Sequence, residues 1–285
     1  MMLQLLRVLV LVAIAVLYAV FDVFNKREIP DAFVYASLAI GALFTLTYPV
    51  GIIYESVLIA AFILGVGYVI YKAGFWGAGD FMELTALSLI MPIQPKPWFS
   101  GVAQLGIPFV VSLFISAGIA AIWIVPIYYL LIKRNKNRQR AKTQRVYKML
   151  GVLLLAMYLM LLLFMYVLFG IGLLRLLIIL IIGVPSAITL AYEEEITSSM
   201  TARVPVSRLD EGDIIAINLM NRSDIAYFKK RYPKFDRLIT KEMVAKLKGS
   251  SRNLPVYKNA APFTLFILIG AIVSFAFGNV ILYLV

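Results

Sequence analysis

The sequence predicts an all-α polytopic membrane protein of about six to nine transmembrane helices, carrying one small cytoplasmic α+β segment. Three observations lead there. Of 285 residues, 62% are hydrophobic and only 15% charged, and the mean hydropathy is +0.91, a balance foreign to a water-soluble fold with one core. Apolar runs near the roughly 17 to 25 residues needed to cross a bilayer recur along the chain. Against them stands one abrupt change of composition from Glu193 to Lys258, with 13 Lys or Arg and 9 Asp or Glu.

The spanning runs are Leu3 to Phe21, Phe33 to Ile53, Val57 to Tyr71, Ile107 to Ile132, Leu150 to Phe169, Ile171 to Tyr192 and Phe263 to Val285. One more, Phe81 to Met91, is about eleven residues long and at ~1.5 Å per residue covers half the hydrocarbon thickness before Pro92 and Pro95 interrupt it. It is short or re-entrant, or it continues beyond the prolines. Leu150 to Tyr192 reads as a hairpin turning near Gly170 and Gly172, with Arg175 snorkelling to an interface, or as one long bent helix. The first run lacks a small-residue cleavage site and reads as a retained anchor. These elements divide the chain into a membrane core (1–132), a basic loop (133–148), a hairpin or bent helix (149–192), the soluble segment (193–258) and a C-terminal membrane helix (259–285).

Within the soluble segment, Ile214, Ile215, Ile217 and Leu219 predict a strand after the Asp210-Glu211-Gly212-Asp213 turn. Thr240 predicts a helix cap before Met243, Val244 and Leu247, with the helix ending near Gly249.

Basic residues set the expected orientation. Lys26 and Arg27 follow the first span, Lys72 the third, and eight Lys or Arg lie between Lys133 and Lys148, so these loops belong on the cytoplasmic side. With eight spans the N-terminus falls outside, and residues 193–258 fall in the cytoplasm of a multi-pass cell-membrane protein. The formal net charge of +12 therefore reports topology and anionic lipid headgroups rather than nucleic acid.

The absence of cysteine and histidine excludes disulfides, thiol nucleophiles, His-dependent triads and the common zinc spheres, so no metal or cofactor is expected. Carboxylates remain. Outside the soluble segment there are six: Asp22, Glu28, Asp31, Glu55, Asp80 and Glu83. Ionisable groups in or beside a span are costly and mark function when they converge. Asp22 ends the first span, where a solvated boundary residue would also fit. Asp80 in Gly77-Ala78-Gly79-Asp80-Phe81-Met82-Glu83 fits an N-cap, with Glu83 as the acid of a capping box or a tuner of its charge. Two carboxyls within hydrogen-bond reach can instead share a proton and activate water as a base and acid pair.

The flanks decide which chemistry to expect. Asp22-Val23-Phe24-Asn25-Lys26-Arg27-Glu28-Ile29-Pro30 ends the first span and Gly77-Ala78-Gly79-Asp80 enters the short fourth run. This pattern resembles the GxGD membrane aspartyl proteases, most closely the type IV prepilin and archaeal preflagellin peptidases. The resemblance implies Asp22 and Asp80 as the catalytic pair and a loop-shaping or substrate-facing role for Arg27, Ile29, Pro30, Gly77 and Gly79. Met82 departs from the lysine that many relatives carry there. The implied substrates are precursors with short basic class III leader peptides, and the lack of a cysteine-rich insert leans toward the preflagellin branch that serves the archaellum. Two other readings use the same acids: a proton- or ion-coupled transporter, and a presenilin-like protease. The first expects repeated halves with acids near the midplane, and the second expects a PAL motif; neither feature occurs.

Overall fold

The computed structural model describes residues 2–25, 28–99, 106–132, 144–170, 172–233, 235–247, 250 and 252–283. Its first helix, α1 (Met2–Phe24), shows how the bundle is built. Arg7, Leu11, Ile14, Ala15, Tyr18 and Asp22 are its buried residues at three- and four-residue spacing, with Ala19 beside them, one helical stripe whose last member is an aspartate. The opposite face, with Leu5, Leu9, Val16 and Val23 exposed, is what a helix facing lipid presents.

The bundle continues with α2 (Asp31–Thr45), α3 (Val50–Lys72), α4 (Ala78–Ile90), α5 (Phe109–Ile127), α6 (Gln144–Phe169) and α7 (Leu173–Ala191), and closes with α11 (Phe263–Phe277). Among the described residues four helices are long and apolar enough to cross a bilayer, and shorter apolar helices accompany them. The protein is thus a multi-pass helical membrane protein.

The second and third spans are re-divided relative to the sequence expectation. The run Phe33 to Ile53 does not form one helix: α2 stops at Thr45, and Val50 to Ile53 open α3. Pro49 is the reason. It lacks an N–H and pushes its predecessor out of the α region, so the chain turns over Leu46 to Tyr48 and Pro49 caps α3. Arg7 of α1 reaches this turn, its guanidinium 3.6 Å from the centre of the Tyr48 ring, which fixes the end of the bundle opposite to Asp22.

Helix α4 is short because it ends before Pro92 and does not continue beyond the prolines. Phe81, Leu84, Thr85, Ala86, Leu87, Ser88 and Ile90 are all buried, so it is the central helix, surrounded by α1, α2, α3, α5 and α11. Close packing comes from small residues, as is usual between membrane helices. At Gly67 of α3 a Cβ would lie 2.4 Å from that of Phe81, and at Gly270 of α11 it would lie 2.5 Å from the carbonyl oxygen of Leu113 in α5.

Helix α5 contains Pro126 and runs on into a π-helical turn, Tyr128–Ile132. Residues 133–143 of the expected basic loop lie outside the described residues, while Gln144 to Lys148 already belong to α6. The segment from Leu150 to Tyr192 is a hairpin rather than one bent helix. Gly170, at φ 58°, adopts the left-handed conformation that ends α6, and α6 packs along α7. The side chain of Arg175, expected to snorkel, lies outside the described residues. The last span is shorter than expected: α11 ends at Phe277 before Gly278 at φ 76°, and a 3₁₀ turn, Val280–Tyr283, follows.

The polar segment folds as a small α+β unit of α8 (Glu193–Met200), β1 (Ala202–Pro205), α9 (Arg222–Arg231), α10 (Lys241–Leu247) and β2 (Asn253–Val256). β1 and β2 pair antiparallel with Ala202 opposite Val256 and Pro205 opposite Asn253. The strand expected at Ile214 to Leu219 is absent. Ile214 bridges to Leu238 and Ile215 to Val256, so two neighbouring residues take partners on different segments and no ladder extends. Ile217–Leu219 then turns as a 3₁₀ helix. Thr240 does cap α10, its Oγ1 accepting the Met243 N–H at 3.3 Å, whereas Gly249 lies outside the described residues. Ile215, Phe228, Ile239, Met243, Leu247, Leu254 and Val256 form the core of the unit.

Candidate active site

Chain direction brings three segments to one end of the bundle. α1 finishes there at Phe24, α4 starts there at Ala78, and α11 starts there at Phe263. The α+β unit, which follows α7 and precedes α11, lies at the same end.

Asp22 is 8% exposed, and its Oδ2 accepts a 2.8 Å hydrogen bond from Thr264 Oγ1, a residue with no exposed surface. After α1 the chain turns, with Asn25 Nδ2 donating to the Glu28 carbonyl at 2.6 Å. Pro30 then starts α2, its carbonyl accepting the N–H groups of Phe33 and Val34. This turn delivers Ile29 onto the second motif: a Cβ on Gly79 would stand 2.4 Å from Ile29 Cδ1. The glycine leaves the space that the isoleucine fills. Arg27, also expected at the site, lies outside the described residues, as does Lys26 beside it.

Asp80 is half-buried, and its Oδ2 accepts the Gly77 N–H at 2.9 Å. The helix begins earlier than the capping pattern suggested. Gly77 is the N-cap and Asp80 the third helical residue, so Asp80 is itself the acid that reaches back to the cap. Glu83 accordingly has no place in the cap. It lies one turn deeper, fully buried, and neither of its carboxyl oxygens has a hydrogen-bond partner. Asp80 and Asp22 both lie within electrostatic reach of it. Three carboxyl groups therefore share this end of the bundle.

The loop before α4 is fastened as well. Trp76 stacks on Phe263 at 5.6 Å between ring centres and meets Phe114 edge-on at 5.8 Å. The first two residues of α11 thus touch both motifs, Phe263 through Trp76 and Thr264 through Asp22. Reasoning from the sequence passed over Thr264 and Trp76. The available signal was a hydroxyl directly after Pro262-Phe263 at the entry of an apolar helix.

Among the described residues no group of three or more acidic side chains is arranged to hold a metal ion. What the arrangement offers chemically is carboxyl groups gathered at one end of the bundle beside the exposed backbone of Gly77. Because Glu83 makes no hydrogen bond, Glu83→Gln, which conserves shape, is expected to retain most of the stability of the parent chain and any peptidase activity it has. Peptide-bond cleavage and thermal unfolding in detergent measure this directly.

Comparison with known proteins adds one match: the model of the type IV leader peptidase family fits residues 9–134. That interval contains α2, α3, α4 and α5, the greater part of α1, and both aspartate motifs. No curated protein and no solved structure matches the chain.

Proposed function

We propose, for a chain whose residues 9–134 belong to the type IV leader peptidase family, that its peptidase chemistry is aspartyl and that Asp22 and Asp80 carry it. One carboxylate takes a proton from a water as that water attacks the scissile carbonyl, and the other carboxyl protonates the developing oxyanion. The roles reverse as the amine leaves. The observation that supports this best is convergence. Asp22 and Asp80 stand 58 positions apart in sequence, yet Ile29, in the turn that follows Asp22, packs on Gly79, the residue before Asp80.

The substrates are precursors with short basic class III leaders, of the preflagellin or prepilin kind, cut at the cytoplasmic face. The α+β unit stands at the same end as the aspartates, so the basic loops and the site share that face under the positive-inside rule. Anionic headgroups line it. The transporter reading has less support, since Asp22 ends one helix and Asp80 begins another rather than interrupting either near its middle.

The test is incubation of the detergent-solubilised protein with candidate class III precursors and mass spectrometry of the new N-terminus. Cleavage at the end of the leader is expected, and intact precursor counts against the proposal. Orientation has its own test. A cysteine at the exposed Lys230, unique in a chain that has none, escapes an impermeant reagent in intact cells and reacts after permeabilisation. Labelling in intact cells reverses the topology.

A further inference from the structure

We infer that Thr264 is a positioning residue for the Asp22 carboxyl, so that the site is completed by the C-terminal helix, outside the interval that matches the family. The inference rests on the aspartyl reading above and extends it to a residue 242 positions from its partner.

Hydroxyls inside membrane helices usually turn back onto their own backbone. That is what others in this bundle do: Ser56 Oγ donates to the Ile52 carbonyl, Thr85 Oγ1 to that of Phe81, and Ser186 Oγ to that of Ile182. Thr264 behaves differently. It is the second residue of α11, after Pro262 at the cap and Phe263, so no helical turn precedes it to supply a carbonyl four residues back. Its hydroxyl crosses to another helix and donates to Asp22 Oδ2 at 2.8 Å, with no exposed surface on the threonine.

A counterpart acts on the other aspartate, where the Gly77 N–H holds Asp80 Oδ2 at 2.9 Å. Each carboxyl thus has one oxygen tied to the start of a helix, which fixes the plane in which the other is presented. The neighbouring Phe263 sets where the hydroxyl stands. By stacking on Trp76 it ties the start of α11 to the loop that leads into Asp80. The start of α11 therefore sets one aspartate relative to the other, and an error of about 1 Å in such a pair costs on the order of 10²-fold in rate.

The experiment compares Thr264→Val, Thr264→Ser and Thr264→Ala with the parent chain, measuring kcat and KM for precursor cleavage and thermal unfolding in detergent. Thr264→Val and Thr264→Ala are expected to lower kcat roughly 10- to 100-fold while KM stays within about twofold, as loss of a hydrogen bond to a charged group predicts. Thr264→Ser, which keeps the hydroxyl, is expected to retain kcat within about threefold. Thr264→Ala covers the case in which valine disturbs insertion. Unchanged kcat in both Thr264→Val and Thr264→Ala overturns the inference, as does an effect confined to KM. So does a serine variant that is folded and as slow as the alanine one, since the methyl group and not the hydroxyl would then matter. Asp22→Asn runs alongside. If it cleaves normally, the aspartyl reading itself fails; if it is inactive and Thr264→Val and Thr264→Ala are not impaired, only the inference about Thr264 fails.

Discussion

Asp22→Asn and Asp80→Asn each lower precursor cleavage by roughly 10³-fold or more, the scale expected when a positioned acid or base is removed. Neither change disturbs insertion. Asparagine conserves the shape of aspartate, and its side-chain oxygen still accepts the Thr264 hydroxyl at position 22 or the Gly77 N–H at position 80. What it removes is the ability to exchange a proton. The comparison is Asp31→Asn, at an exposed residue in the first turn of α2, where the loss is a few tenths of a kcal/mol of helix-dipole interaction and activity persists. Quantifying the new N-terminus by mass spectrometry separates these outcomes, and substantial cleavage by either position-22 or position-80 variant contradicts the aspartyl mechanism.

The second large effect is structural. Gly270→Val separates α11 from α5, because the added Cβ alone would lie 2.5 Å from the Leu113 carbonyl oxygen and 2.7 Å from the Ala117 backbone nitrogen. Backbone cannot rotate away as a side chain can, so the two helices must move apart. Overpacking of this kind costs about 3 kcal/mol or more, a fall of roughly 5–10 °C in unfolding temperature for a chain of this size. Cleavage falls with it, since displaced α11 draws Thr264 from Asp22 and Phe263 from Trp76. Gly118→Val on α5 is the control. A Cβ there meets nothing within 4 Å, and both stability and activity stay near the parent values.

What could be read from the sequence was whatever depends on short-range pattern. The apolar runs located the membrane helices because burial of twenty residues in lipid leaves few alternatives. The two aspartate motifs were visible because each is contiguous. The errors share a physical origin in competition between local signals and distant partners. Phe33 to Ile53 has enough apolar length for one helix, yet one proline at position 49 outweighs it. Asp80 and Glu83 have capping-box spacing, but a helix that starts at Ala78 moves Asp80 into the acid's role and carries Glu83 inward. The isoleucines after Asp213 have strand composition, yet Ile214 and Ile215 bridge to different segments, and β1 and β2, more than 40 residues apart, pair with each other instead. Thr264 meets the same limit: the hydroxyl after Pro262-Phe263 marks a helix entry, but nothing near it in sequence announces a carboxylate contributed by the first helix.

The bond between Thr264 and Asp22 also imposes an order on the life of the molecule. The ribosome makes Asp22 first and its partner 242 residues later, at 5–20 residues per second a delay of roughly 10–50 s. During that interval both aspartates are already synthesised, while the helix that orients the first does not yet exist. On the reading above, a nascent chain inserted in the membrane is a slower catalyst until α11 has been made.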